Sequence, residues 1–384
     1  MNFELTEAQE ILRQTVRRFL AEAAPLSPYV RARLEDPRGT TDSVWGGLVD
    51  LGLPGLLVPE DLGGAGLGML EMGIVCEELG RALHPGPFAA SALTATSLVA
   101  GVASPSEQRE LLPALAAGRL VATAAVYEPG AGYDWARPRA AAESRSGSVA
   151  LSGVKHLVPA ALSVELLLVV ARDTGSGGLG VFAVERHAEG VVVSPTESVD
   201  GTRKLARVEL TRAPARRLGT GDPRGAIAAA LDRSAVGSAA DALGAATRAH
   251  EIALAYARER TQFDRPIGSF QAVQHLLVDM LQDLELARAG IYYALWAADA
   301  ADPAERHRAA VMAKAFASGR LPAIGATAIQ IFGGIGFTWE HDAHLFYKRL
   351  LGMETSYGDE RCHLDELARI AVDGPWGVDA ATGS

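Results

Sequence analysis

Long apolar runs are missing from this 384-residue chain; the densest, such as 166–171, are only strand-sized, too short to span a bilayer. The opening Met1-Asn2-Phe3-Glu4-Leu5 shows no basic segment followed by an apolar one. No signal peptide is therefore expected, and the cytoplasm is the expected location. Cysteine is nearly absent. Cys76 and Cys362 are too few and too far apart for a disulfide framework or a metal cluster, so two reduced thiols are expected. The nine histidines show no HExxH pairing, which argues against a metal site. Positive charge is also scarce: 36 Lys and Arg face 46 Asp and Glu, a net charge of −10. That balance excludes nucleic acid as the main partner, because phosphate neutralisation needs clustered cations. Lysine occurs only at Lys155, Lys204, Lys314 and Lys348, a bias that reads as genome composition rather than function.

Apolar residues make up 48% of the chain, enough to fill two or three packed subdomains. The first third reads helical. Thr6 with Gln9 three residues on is a capping-box pattern, and Ile11, Leu12, Val16, Phe19 and Leu20 then recur at helical spacing. Trp45, Leu48, Val49 and Leu51 mark a second helix, 54–68 a Gly/Pro-rich loop, and 69–83 and 106–117 further helices. From about Val121 to Arg217 the texture changes to short apolar runs between turns (149–151, 166–171, 180–184, 191–193, 206–210), with a hairpin turn expected at Arg145-Ser146-Gly147-Ser148. Beyond Pro223 three long helices are expected, over 226–260, 271–301 and 303–332. In the second, Val273, Leu276, Leu277, Met280, Leu281, Leu284 and Ala287 share one face. The expected fold is α+β, in three domains: an N-terminal α-helical domain (1–121), a middle β-barrel-like domain (122–222) and a C-terminal four-helix bundle (223–384).

Three segments could carry chemistry. Residues 258–275 end one long helix with arginines, pass through an aromatic–proline turn and start another. Guanidinium and amide groups there suit a diphosphate, although capping and packing explain them equally. Residues 328–337 bring glycines after a helix, which reads as a cap or as close backbone approach by a ligand. Tyr127-Glu128-Pro129-Gly130-Ala131-Gly132-Tyr133-Asp134 leaves a strand and reads as a turn or as one wall of a pocket.

Taken together and in order, these motifs resemble the acyl-CoA dehydrogenase family over nearly the whole chain. The resemblance rests on Leu53-Pro54-Gly55-Leu56-Leu57-Val58-Pro59-Glu60-Asp61-Leu62-Gly63-Gly64, Glu128-Pro129-Gly130-Ala131-Gly132, Arg260-Thr261-Gln262-Phe263, Phe270-Gln271-Ala272-Val273-Gln274 and Gln330-Ile331-Phe332-Gly333-Gly334-Ile335-Gly336-Phe337. It implies an oligomer, a homo- or heterotetramer, with FAD held between subunits. Arg260 would face the FAD diphosphate of a neighbouring chain. Gln262, Phe263, Ile267 and Gln271 would help hold the cofactor, and Gln330, Gly333 and Gly334 would receive its adenosine side. Asp232 and Tyr133 would line the path of the thioester, carried on CoA or on a carrier protein. The implied chemistry is α,β-dehydrogenation, in which a carboxylate takes the acidic proton beside the thioester, and an electron-transferring flavoprotein is the implied redox partner.

The chain departs from the family at the chemistry itself. The usual catalytic Glu falls on Tyr357, and the alternative position on the preceding helix falls on Ser234-Ala235. A phenol is a poor base at neutral pH. Glu354, Asp359 and Glu360 are the nearby carboxylates, of which Asp359 and Glu360 also read as helix-start residues. Tyr127 and Tyr133 stand where Thr or Ser is common, and Leu157-Val158-Pro159 replaces the Trp-Ile-Thr segment that backs the flavin. Three functions follow as expectations: a flavin-dependent acyl-CoA dehydrogenase, in one version a subunit of a heteromer whose partner supplies the base; a same-fold flavin monooxygenase or oxidase; or a non-redox acyl-thioester binder.

Overall fold

The computed structural model describes residues 4–145 and 148–373. Helix α1 (Glu7–Ala23) starts as its sequence dictates: the Thr6 hydroxyl accepts from the Gln9 amide at 3.3 Å, and the Gln9 side chain accepts from the Thr6 amide at 3.0 Å. Helix α2 (Asp42–Asp50) is capped by Thr41. Two short 3₁₀ turns, Leu53–Gly55 and Glu60–Leu62, follow in the Gly/Pro-rich loop. Helix α3 (Met69–Arg81) is almost wholly buried. A π-helical stretch, Ala89–Ala95, leads into α4 (Thr96–Val102), and α5 (Pro105–Ala116) begins behind the Ser104 cap. The π stretch has no amphipathic signature, because it is buried on nearly every side.

The middle segment contains β1 (Ala122–Ala125), β2 (Ala141–Arg145), β3 (Ser148–Pro159), β4 (Leu166–Asp173), β5 (Leu179–Glu185), β6 (Val191–Pro195) and β7 (Leu205–Leu218). Pairing runs β4-β2-β3-β7-β5 and returns from β5 to β4, so five strands close into a barrel; β1 adds to β4 and β6 to β7. Arg145 pairs with Ser148, while the expected turn residues Ser146 and Gly147 lie outside the described residues. Strands β4 and β5 are buried on both faces for a period-2 reason. Leu167, Val169, Phe182 and Val184 fill the barrel, whereas Leu168, Val170, Val181 and Ala183 pack against Leu98, Leu112 and Leu115 of the helical domain.

Helix α6 (Arg224–Glu259) runs the length of the C-terminal bundle. Its small residues let α3 lie close: a Cβ on Gly244 would meet the Glu77 carbonyl at 1.8 Å, and one on Gly80 the Asp241 carbonyl at 1.9 Å. After the tight hairpin β8 (Thr261–Gln262) and β9 (Arg265–Pro266) come α7 (Gln271–Ala300), α8 (Pro303–Phe332), α9 (Ala343–Glu354) and α10 (Glu360–Asp373). On α7, Leu277, Met280, Leu284 and Ala287 are buried as the spacing predicts, but Leu281 is exposed and belongs to the outer edge of that stripe. Among the described residues no helix is long and apolar enough to cross a membrane.

Two buried ion pairs tie the layers together. Arg349 on α9 meets Asp241 on α6 through two bonds of 2.8 and 2.7 Å, and also reaches the Thr202 hydroxyl and the His84 carbonyl. Lys155 donates to Glu128 at 2.8 Å and to the Val126 carbonyl. Burial pushes the Glu128 carboxyl up, but the Lys155 bond and two backbone amides outweigh it and hold it below the usual range. Glu128 is thus a structural anchor of the loop that carries Tyr127 and Tyr133. The scarce lysines have structural work here: Lys155 and Lys314 are buried, and Lys204 donates to the carbonyls of Arg33, Leu34 and Gly201.

Candidate functional site

The chemistry-bearing residues gather at two places, one at each end of α6. At its C-terminal end the chain leaves the helix at Arg260 and turns at once through the β8–β9 hairpin. Phe263 and Asp264 sit at φ 52° and 60°, a type I′ turn made without the usual Asn-Gly. That turn holds Phe263 out at 85% exposure, its ring edge-on to Phe270 at 6.1 Å, while Arg265 lies 4.0 Å over the Phe270 ring. Arg260, Gln262 and Gln271 are exposed, and Ile267 is half-buried against the bundle core. Among the described residues no carboxylate pairs with the Arg260 guanidinium.

The second expected cofactor segment lies beside the first. Tyr256, one turn before Arg260, packs its ring 4.7 Å from that of Phe332, two residues after Gln330. Gln330, Gly333 and Gly334 are exposed, and a Cβ on either glycine would meet open space. Ile335, Phe337 and Trp339 are exposed next to them. The structure therefore brings together all the sequence-predicted cofactor residues, Arg260, Gln262, Phe263, Ile267, Gln271, Gln330, Gly333 and Gly334, at one end of the bundle. An unpaired guanidinium, three exposed side-chain amides and bare glycine backbone fit the diphosphate and adenosine of a dinucleotide.

The other place lies near the start of α6. Tyr357, between α9 and α10, sits in the left-handed region at φ 60°. Its hydroxyl is 3.1 Å from that of Thr94 in the π-helical stretch; Thr94 is 2.8 Å from the Ser234 hydroxyl; and Ser234 donates to the Ala230 carbonyl at 2.6 Å. Of the places where the resemblance expects a carboxylate, Tyr357 and Ser234-Ala235, the first holds a phenol and the second a serine hydroxyl, joined through Thr94. Tyr127 and Tyr133 stack edge-on beside them at 5.7 Å, and the Tyr133 hydroxyl donates to the Thr355 carbonyl at 2.9 Å. Burial pushes the Tyr127 phenol far up and that of Tyr133 up to about 12. Neither is a base at neutral pH.

These three tyrosines form the wall between two cavities. The smaller is about 70 Å³ and is floored by Leu157, Pro159, Ala124 and Leu205. Leu157 is turned into it by a register shift in β3 and sits at φ 51°. Ligand pockets are commonly ~300–1,000 Å³, so this space does not fit a three-ring flavin. It also offers no side-chain hydroxyl from residue 159, and the nearby Thr123 hydroxyl is bound to the Pro159 carbonyl at 2.7 Å. The larger cleft is about 1040 Å³ and runs between the Tyr133 loop, α6, α8 and α10.

Asp232 lies in this larger cleft, buried and bonded to His307 Nδ1 at 2.9 Å, with Glu366 3.4 Å from the other ring nitrogen. The Asp232 hydrogen bond raises the His307 pKa above its ordinary value. Arg137, Arg306 and Arg361 line the same cleft, and none has an ion-pair partner among the described residues. Of the carboxylates near Tyr357, Asp359 borders the cleft, but one of its oxygens caps α10 by accepting from the Cys362 amide at 2.8 Å. Glu360 is an exposed residue of the first turn of α10, and Glu354 lines neither cavity. Sequence reasoning missed Thr94, His307 and Lys314. Lys314 is fully buried beneath the Tyr357 turn, donating to Ser318 and to the Met353 and Glu354 carbonyls, and burial lowers its pKa to about 7. The scarcity of lysine was the one available signal for it.

Three family models match the chain: the acyl-CoA dehydrogenase N-terminal domain over residues 6–119, the middle domain over 123–212 and the C-terminal domain over 224–372. The acyl-CoA dehydrogenase IpdE2 of Mycolicibacterium smegmatis is 31% identical over 96% of this chain and 99% of its own length. Among solved structures, a variant of the Tcur3481–Tcur3483 steroid ACAD aligns with a TM-score of 0.87 and 30% identity, covering 96% of this chain and 98% of the other. The ChsE4–ChsE5 complex of Mycobacterium tuberculosis aligns with a TM-score of 0.87 and 26% identity over 98% of this chain and 100% of the matched one. With the closed barrel between two helical domains, the arginine–aromatic hairpin and the paired glycine segment in place, the chain belongs to the acyl-CoA dehydrogenase family.

Proposed function

We propose that this chain is one subunit of a heteromeric, FAD-dependent acyl-CoA dehydrogenase, and that it lends the Arg260 half of a cofactor site to a partner chain that carries the catalytic carboxylate. The observation that carries this reading is the hydroxyl chain Tyr357–Thr94–Ser234, which occupies both positions where a base is expected. Among the described residues, the carboxylate nearest that wall, Asp359, has one oxygen committed to the cap of α10. The cofactor features divide in the same way. Ser234 and Arg260 stand 26 residues apart on or at the end of one straight helix, ~39 Å at 1.5 Å per residue. If both ends serve a cofactor, they serve different copies of it.

Bound across such an interface, FAD supplies the two-electron acceptor that dehydrogenation of an acyl thioester requires. This chain's own residues do the rest of its part. Arg260, Gln271 and Gln330 fix the anionic and polar arm, and Phe263, held out by its turn, covers apolar cofactor surface and excludes water. In the larger cleft, Arg137, Arg306 and Arg361 suit the phosphates of a CoA thioester, while His307 neutralises Asp232 beside its path. Complexes of two differently named chains among the solved relatives support the heteromeric version. An electron-transferring flavoprotein is the expected oxidant of the reduced enzyme.

The test is an anaerobic absorbance titration with FAD and a panel of acyl-CoAs. The chain alone should leave the flavin oxidised. Co-assembled with a family member that keeps the Glu, it should support bleaching, and Arg260→Ala in this chain should weaken flavin binding by the complex. Bleaching by the chain alone at an ordinary rate would overturn the heteromeric reading. A second reading, a thioester binder without flavin, is favoured by the small ring-side cavity; it predicts a colourless assembly that takes up no FAD with any partner.

A further inference from the structure

The direction of each hydrogen bond in the Tyr357–Thr94–Ser234 chain is fixed by its far end. A hydroxyl has one hydrogen to give, and a carbonyl can only accept. Ser234 spends its hydrogen on the Ala230 carbonyl at 2.6 Å. The 2.8 Å contact between Ser234 and Thr94 must therefore use the hydrogen of Thr94. The 3.1 Å contact between Thr94 and Tyr357 must in turn use that of Tyr357. The phenolic proton points into the protein, so the Tyr357 oxygen has only lone pairs left to offer a ligand. Helix α6 carries Ser234 and Ala230 on one turn, the π-helical stretch carries Thr94, and the left-handed backbone of Tyr357 delivers its ring to them. Three separate elements thus converge to make one acceptor.

We propose that the larger cleft selects acyl thioesters that carry a hydroxyl or other hydrogen-bond donor close to the thioester, read by the Tyr357 oxygen. The inference rests on the reading of that cleft as a thioester site and names the class of acyl group it takes. Of the neighbouring groups, Tyr133 is engaged with the Thr355 carbonyl and Asp232 with His307. An acyl group with a plain methylene at that point leaves the acceptor without a partner. One with a ketone sets two acceptors against each other, which is the poorest match.

The experiment is calorimetric titration of the full chain, without added flavin, with both enantiomers of 3-hydroxybutyryl-CoA, with butyryl-CoA and with acetoacetyl-CoA. The better hydroxy enantiomer should bind about fivefold more tightly than butyryl-CoA, the size of one net hydrogen bond, and acetoacetyl-CoA should bind most weakly. Thr94→Val takes away the acceptor of the phenolic hydrogen and frees it, so the order should shift toward acetoacetyl-CoA. Ser234→Ala frees the same chain one step earlier and carries the same expectation if the Thr94 variant does not fold. Tyr357→Phe should erase the discrimination. Equal binding of the hydroxy and plain thioesters, binding of none of them, or an unchanged order in both the Thr94 and Ser234 variants would overturn the proposal. Because no flavin takes part, this result is separate from the flavin titration: a chain that discriminates hydroxyls but never supports bleaching keeps this inference and loses the dehydrogenase reading.

Discussion

The two ends of α6 treat polar groups in opposite ways. At the Arg260 end the guanidinium has no carboxylate partner among the described residues, the amides of Gln262, Gln271 and Gln330 are exposed, and an aromatic side chain stands exposed on a turn that disfavours it. At the Ser234 end the hydroxyls of Tyr357, Thr94, Ser234 and Tyr133 have their partners inside the chain, and three tyrosines fill the space. A region completed by another molecule leaves its donors unspent, because spending them internally would have to be undone on binding. A region finished within the chain spends them, because a buried unpaired polar group costs about 1–3 kcal/mol. If the proposed function holds, the hairpin end is the one that a cofactor completes.

Four substitutions sharpen that contrast, beginning with the strongest. Asp241→Ala strands the buried Arg349 charge behind the closed end and should lower stability by about 3–5 kcal/mol in denaturant unfolding; a loss below about 1 kcal/mol would mean that Arg349 is satisfied by Thr202 and the His84 carbonyl alone. At the open end, Arg260→Ala should leave the unfolding midpoint of the isolated chain nearly unchanged. In the assembled complex it should weaken FAD binding by about 10- to 100-fold, the range for a charge-assisted contact, followed by flavin retention on a desalting column. A large stability loss with unaltered flavin retention would reverse the assignment.

Lys314 gives a pH-dependent comparison. Unfolded, it keeps its proton up to the ordinary value of 10.5; folded, burial lowers that to about 7. Between these values the unfolded state binds more protons, so folding stability should rise with pH, at up to about 1.4 kcal/mol per pH unit from this group. Lys314→Met lacks that contribution. The stability difference, wild type minus variant, should climb from pH 7 toward 10, and a flat difference would show that the buried lysine keeps its proton. The smallest effect is expected at the hairpin tip. Phe263→Gly relieves a left-handed phenylalanine and should stabilise the isolated chain by up to about 1 kcal/mol while weakening its assembly. Destabilisation of the isolated chain would mean that the Phe263–Phe270 contact outweighs the backbone strain.

Much of the fold was legible because it rests on periodicity. The capping box at Thr6, the long helices beyond Pro223 and the short strands after Val121 all follow from local spacing and turn chemistry. The π stretch was not legible, since burial on nearly every side erases the apolar stripe. The candidate site divided in the same manner. Arg260 to Gln271 is contiguous in sequence and carries its own signal. The hydroxyl chain joins residues 140 and 263 positions apart, and serine, threonine and tyrosine in those places look like any others. The lysines offered one overlooked clue: of the four, Lys204 and Lys314 each satisfy several carbonyls at once.

By itself, then, the sequence determined the order of domains and the hairpin with its arginine and aromatic, because each is written in adjacent residues. Only the tertiary structure decided that the hairpin and the glycine segment meet at one end, that three tyrosines divide the cavities, and that the Tyr357 hydroxyl is tied to Thr94. Those properties depend on which groups from distant elements come within hydrogen-bonding reach, and packing alone brings them there.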